Sequence, residues 1–328
     1  MSIRQIVCAT VAVGLVTGGC VTMRQRKAEP ALVLAENGRS EFSIVVADDA
    51  PPSTRYGAEE LQRFLKEMTG AELPIRLDSE PVSAHEIVLG DNAHFRQLIS
   101  APGSEASGLS EQDLEALGAE GYVIRTASPH LIIVGGDLRG DLYGVYGLLE
   151  DHLGCRWFTP TVSRIPKQSR LVLPRIDETK VPVLEYREPF VRDCFDGDWC
   201  ARNRVNSSAA SLEERHGGKV RFGAGLFVHT FNRLMPPDKY FDEHPEYYSE
   251  IDGERVRERT QLCCTNEDVI RICTEELGNC MRQDPEAFVY SLSQNDWDNH
   301  CECAECQALA DREESQMAPV LHLSLIHI

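Results

Sequence analysis

Between Ser293 and Gln307 the sequence reads SQNDWDNHCECAECQ, which crowds Asn295, Asp296, Trp297, His300, Cys301, Cys303 and Cys306 into fifteen positions. Three chemistries fit such a stretch. Cleavage of a glycosidic bond needs a protonated carboxyl at the leaving oxygen and a second carboxylate on the other face of the sugar. Asp296 is the candidate acid, and Asn295 and Trp297 would bind the sugar, the indole by stacking on a pyranose face. Asp296 could instead be a helix N-cap or a ligand to a sugar hydroxyl, and Trp297 could instead serve packing or loop fixing. A metal site would use His300, Cys301, Cys303 and Cys306, because C-x-C-x-x-C beside a histidine offers up to four soft ligands. Disulfides or loop-bracing thiols are the favoured reading of the cysteines, with Cys263, Cys264, Cys273 and Cys280 as available partners. No resident metal is therefore expected, and no organic cofactor is implied.

The elements that must position these residues follow from periodicity. NEDVIRICTEELGNCMRQDP reads as a helix with Asn266 as N-cap and Val269, Ile270, Ile272, Cys273 and Leu277 on one side. Around it, PFVRDCF, RFGAGLFVHT, QLCCT and AFVYSLSQND read as short strands, and strands alternating with helices imply parallel pairing, hence an α/β barrel or an open doubly wound sheet. In an α/β barrel the pocket forms at the C-terminal ends of the strands. Those ends hold Arg192, Asp193 and Asp196 after the first strand, His229 after the second, and Asn295, Asp296 and Trp297 after the fourth. His229, Arg192 and Asp193 are thus added to the substrate-binding candidates, an internal Arg192–Asp193 ion pair being the other reading of those two.

The first half has a different pattern. FSIVVADDAPPSTRYGAEELQRFLKEMTG gives a strand, a break at Pro51-Pro52, and a helix with Tyr56, Leu61, Phe64, Leu65 and Met68 at helical spacing, closed by Gly70. HEIVLGD, GYVIRT and HLIIVGGD add strands, and RGDLYGVYGLLEDHLG adds a second helix with Tyr143, Tyr146 and Leu149 turned inward. This predicts an α+β domain over residues 35–175, one sheet with helices on one face. GGDLRG lies between strand and helix as a phosphate loop would, yet Asp137 and Asp141 oppose an anion there, which favours a tight turn.

The formal charge of −19 repels phosphate backbones and anionic membranes, which argues against nucleic acid as a partner. Residues 1–20 have an export-signal pattern, with an apolar run from Ile6 to Val16 and small residues before Cys20. Lipidation of Cys20, with membrane anchoring, and plain secretion both fit, and a polar linker follows over 21–34. Export to the periplasm, the outer membrane or the exterior also suits twelve cysteines. The oligomeric state is left open.

Two resemblances sharpen this reading. VADDAPPSTRYGAEELQRFLKEMTG, EIVLGD and GGDLRGDLYGVYGLLEDHLGCRWFTP resemble the domain that precedes the catalytic barrel in bacterial alpha-glucuronidases of glycoside hydrolase family 67, itself similar to the one preceding the beta-hexosaminidase barrel. HTFNRLMPPDKYFDEHPEYYSEIDGER, QLCCTNEDV and SQNDWDNHCECAECQ resemble a bacterial family, domain of unknown function 4838, placed among barrel-type glycoside hydrolases. The resemblances imply an accessory domain followed by a TIM-type barrel acting on a polysaccharide or oligosaccharide. An Asn before the acid at the end of strand four is also the arrangement in many barrel glycosidases, although those use Glu and Asp296 is one methylene shorter. A whole barrel takes about 250 residues, so residues 183–323 are expected to supply an incomplete one of about four strands. The terminal residues 324–328, within LSLIHI, are expected to be non-native. The second carboxylate would then lie outside the chain and the fragment would be inactive. Two further functions stay open: a non-catalytic carbohydrate-binding surface lipoprotein, and a zinc protein built on Cys301, Cys303 and Cys306.

Overall fold

The computed structural model describes residues 32–106 and 108–325; the signal pattern and Cys20 lie outside them. In chain order the first half holds β1 (Leu32–Glu36), β2 (Ser43–Val46), α1 (Pro52–Thr69), β3 (Ile75–Leu77), β4 (Glu86–Leu89), α2 (Ala93–Ser100), α3 (Glu111–Glu115), β5 (Tyr122–Ala127), β6 (His130–Gly135), α4 (Gly140–Gly147), β7 (Arg156–Trp157), β8 (Ser163–Arg164), β9 (Arg170–Leu173) and β10 (Asp177–Lys180). Six strands form one mixed sheet in the order β10-β5-β6-β4-β2-β3. β3, β2, β4 and β6 run parallel, while β5 and β10 are antiparallel to their neighbours.

α1 forms as its sequence dictates. Pro52 supplies a fixed φ where no N–H is needed, Tyr56, Leu61, Phe64, Leu65 and Met68 are buried, and Gly70 ends the helix at φ +80° while donating its N–H to the Lys66 carbonyl. Tyr143, Tyr146 and Leu149 are likewise buried. Their helix can lie flat on the sheet because its other side is glycine: a Cβ on Gly144 would come within 2.6 Å of Ile133 Cγ2. GGDLRG is a tight turn, for a Cβ on Gly136 would meet the Gly118 carbonyl oxygen at 1.7 Å.

Helices cover both faces of the sheet, not one as expected. Phe95 of α2, with Ala106, Leu109 and Leu117, packs on Val88, Val123, Ile132 and Val134, the faces turned away from α1 and α4. The physical reason is visible in β4 and β6, whose residues are buried in succession instead of in alternation. The first core also runs past residue 175. β10 is an edge strand of the sheet, and Cys194, Cys200, Ala201, Val205, Ala210 and Leu212 complete the same core as Leu61 and Tyr146. Buried ion pairs join this extension to the first half. Glu60 of α1 accepts from Arg202 (2.8 Å) and Tyr146 (3.1 Å), and Glu120 from Arg139 (2.7 Å) and Asn206 (2.9 Å).

The remainder holds α5 (Gly197–Arg202), α6 (Phe231–Leu234), α7 (Pro237–Tyr240), a hairpin of β11 (Glu250–Ile251) and β12 (Glu254–Arg255), α8 (Glu267–Gln283), α9 (Ala304–Arg312) and α10 (Ala318–Leu325). α8 has the predicted cap, with the Asn266 side chain accepting from the N–H groups of Asp268 and Val269. Val269, Ile272, Cys273 and Leu277 pack with Phe231, Met235 and Tyr248 in a second core.

The four expected barrel strands do not form a sheet among the described residues. The first is a 3-10 turn, Arg192–Phe195. The third, around Leu262, makes one antiparallel bridge to Tyr248. The second and fourth run side by side, with a parallel bridge Phe222–Val289 and N–H donors from Gly223 to Val289 and from Ser291 to Leu226. The break has a local cause: Gly223–Gly225 is a tight turn with Ala224 at φ +50°, which no strand continues through. The architecture is mixed α+β around one six-stranded sheet. No helix of the described residues is long and apolar enough to cross a membrane.

Candidate functional site

Residues 229 and 294–298 line an open cleft of about 350 Å³. Its two walls come from the paired segments described above: the N–H groups of Thr230 and Phe231 both donate to the Ser293 carbonyl, at 3.0 and 3.2 Å. The site therefore joins His229, Asp296 and Trp297 on one surface.

Asn295 borders the cleft and also anchors it. It is buried, and both its amide hydrogens are committed, to Asn232 Oδ1 at 2.8 Å and the Thr260 carbonyl at 2.9 Å. Gln261 completes the clamp by accepting from the Asn295 N–H at 2.8 Å and donating to the carbonyls of Asn295 (2.8 Å) and Trp297 (2.6 Å). With Asn295 held inward, the chain bends over 296–298 and leaves Asp296 and Trp297 turned outward. Asp296 is exposed with no hydrogen-bond or ion-pair partner among the described residues, and the Trp297 indole is 45% exposed. The Arg259 guanidinium lies over that ring, 5.3 Å from its centroid.

Two non-glycine residues at the cleft adopt left-handed backbone, His229 at φ +55° and Arg259 at φ +52°. Such conformations cost on the order of 1 kcal/mol and concentrate at functional positions. Each aims a side chain at the rim: His229 Nδ1 lies 3.2 Å from the Gln294 carbonyl, and Arg259 covers Trp297. Arg259 carries no mark in the sequence, because it lies in a run of charged residues without periodic signal.

Arg192 and Asp193 do not line this cleft, and no ion pair joins them. Their turn approaches it indirectly. Phe190 packs edge-on to Phe195 at 5.5 Å and lies 6.3 Å from Phe227, two residues before His229.

Behind the cleft the thiols gather. The sulfurs of Cys263, Cys301, Cys303 and Cys306 all lie within 4.8 Å of one another, and all four residues are buried. His300 is outside the group, exposed and turned to the Asp298 carbonyl. Hydrogen bonds from Cys301 and then Cys306 pull the Cys263 thiol well below its ordinary range, and Cys263 in turn pushes Cys301 up to about 11. Cys264, Cys273 and Cys280 lie elsewhere, in or against the second core.

The family described as domain of unknown function DUF4838 matches residues 157–324, just over half the chain. The chain belongs to that family. The DUF4838 region contains the cleft and the thiol cluster, while residues 31–148 match the N-terminus of glycosyl hydrolase family 67. No curated protein matches. Among solved structures, a family GH115 4-O-methyl-alpha-glucuronidase, BtGH115A, with specificity for decorated arabinogalactans is 15% identical at a TM-score of 0.44, over 90% of this chain and 40% of its own. A mutant Streptomyces plicatus beta-hexosaminidase is 14% identical at 0.33, over 76% of this chain and 41% of its own. A Flavobacterium johnsoniae chitobiase is 12% identical at 0.41, over 90% of this chain and 48% of its own. The chain thus spans less than half the length of each, and the overlays are too loose to assign its fold.

Proposed function

We propose that this DUF4838 chain is part of an exported carbohydrate-active enzyme, related to the alpha-glucuronidases, whose cleft at Asp296, Trp297 and His229 binds a polysaccharide or oligosaccharide. The observation that carries the reading is the cleft itself: a half-exposed indole with Arg259 over one face, and an unpartnered carboxylate, both held outward on a buried Asn–Gln clamp. A half-exposed ring offers a sugar face a stacking surface, and a free carboxyl beside it can serve as acid in glycosidic cleavage. The match of residues 31–148 to the family 67 N-terminus supports the same substrate class.

In this reading the parallel contact between 221–226 and 288–291, bridged by α8, is the first unit of a TIM-type barrel, and Asp296 lies at its C-terminal end. The second carboxylate comes from residues outside the present cleft. Arg192 and Asp193 border a more distant part of the sugar path, reached through the Phe190–Phe227 contact. Cys20 would carry a lipid anchor that leaves the folded chain at the cell surface.

The test is turnover of aryl-glycosides and uronic-acid oligosaccharides by the whole natural protein and its Asp296→Asn variant. Loss of kcat by about a hundredfold or more, the scale of general-acid catalysis, with substrate binding retained, supports the acid role. Full activity in Asp296→Asn excludes it. A non-catalytic carbohydrate binder would bind in both forms and turn over in neither.

A further inference from the structure

The cluster of Cys263, Cys301, Cys303 and Cys306 has the dimensions of a metal site, and we propose that it holds one structural zinc ion as a tetrathiolate. A zinc ion sits about 2.3 Å from each thiolate, which places the sulfurs of a regular tetrahedron about 3.8 Å apart. Cys263 Sγ lies 3.6 Å from Cys303 Sγ and 3.9 Å from Cys306 Sγ. A disulfide would require about 2.05 Å between one pair, whereas here one sulfur is near-equidistant from two others and the fourth closes the group. Iron–sulfur clusters, which set several metal and sulfide atoms between the cysteines, do not fit four sulfurs packed within 4.8 Å.

The surroundings suit anionic sulfur. Cys301 Sγ receives the Glu250 N–H at 3.4 Å and the Arg255 guanidinium at 3.6 Å, and the Thr265 hydroxyl lies 3.2 Å from Cys306 Sγ. Four thiolates around a divalent ion leave a double negative charge, which Arg255 partly offsets; such outer partners orient ligands and tune affinity. No open coordination position is left with four protein ligands, so the role is structural and not catalytic. The ion would tie three elements together: the segment before α8, the loop following Trp297, and the first turn of α9. This goes beyond the carbohydrate reading and stands independently of it.

The experiment is metal analysis of the full chain purified without chelator, paired with alkylation of its thiols. One zinc per chain is expected. The four cysteines should resist iodoacetamide in the native protein and react after denaturation in EDTA without reductant. Cys263→Ser and Cys306→Ser should lose the metal, and Cys280→Ser should keep it. If the serine variants do not fold, the wild-type alkylation pattern decides. Absence of metal with the four cysteines linked as disulfides, iron in place of zinc, or wild-type zinc content in folded Cys263→Ser would each overturn the assignment.

Discussion

Gln261 grips Asn295 from both sides of its peptide: the side-chain oxygen accepts the Asn295 N–H at 2.8 Å and the side-chain nitrogen donates to the Asn295 carbonyl at 2.8 Å. The clamp lies two residues before Cys263, so the thiol cluster and the loop bearing Asp296 share one support. Breaking it leaves buried backbone groups unpaired. Gln261→Ala should therefore destabilise the chain by about 2–4 kcal/mol and raise amide exchange over residues 295–298. Unchanged exchange there, measured by mass spectrometry, would show that the loop has another support.

His229 supplies a test of function against packing. Its left-handed φ of +55° is strain for histidine and none for glycine. His229→Gly should keep or slightly raise the thermal midpoint while weakening sugar binding. A drop of several degrees with binding unchanged would assign His229 a structural role instead.

Much of the fold is legible in local pattern. Asn266 and Gly70 mark helix ends because capping is a local event, and the apolar faces of α1 and α8 follow from residues three and four apart. The cleft is legible in part: Asp296, Trp297 and His229 come together because their segments run parallel, but the inward turn of Asn295 depends on Gln261, which carries no local signal. Spacing offers His300 as neighbour to Cys301, Cys303 and Cys306, whereas the chain brings in Cys263 across the whole of α8. The strand-like runs of the second half are apolar enough for a sheet but lack the partners that convert propensity into a ladder.

Glu60 tests whether residues 192–212 belong to the first core. The carboxylate is only 4% exposed and holds Arg202 and Tyr146. Removing one member of a buried pair costs about 3–5 kcal/mol, so Glu60→Ala should lower the denaturation midpoint and open the 192–212 segment to protease. If only the midpoint falls and the segment stays protected, its attachment rests on apolar contacts.

Asp141 gives a pH signature. Full burial pushes its carboxyl up to about 7, against lowering hydrogen bonds from Thr54 and Gly135. A folded pKa above the unfolded value means stability present below about pH 4 and lost as pH rises through 7. Asp141→Asn, which stays neutral, should remove that loss. Its stability relative to wild type should rise between pH 5 and pH 8 in paired denaturant titrations, and a constant difference would contradict the assignment.

The carbohydrate cleft itself is tested most directly by calorimetric titration of the chain and its Trp297→Ala variant with uronic-acid and neutral oligosaccharides. Saturable binding of at least one oligosaccharide, weakened by about tenfold on loss of an aromatic contact of about 1.4 kcal/mol, is the predicted result. Binding of equal strength in Trp297→Ala, or no saturable binding of any sugar, would contradict it.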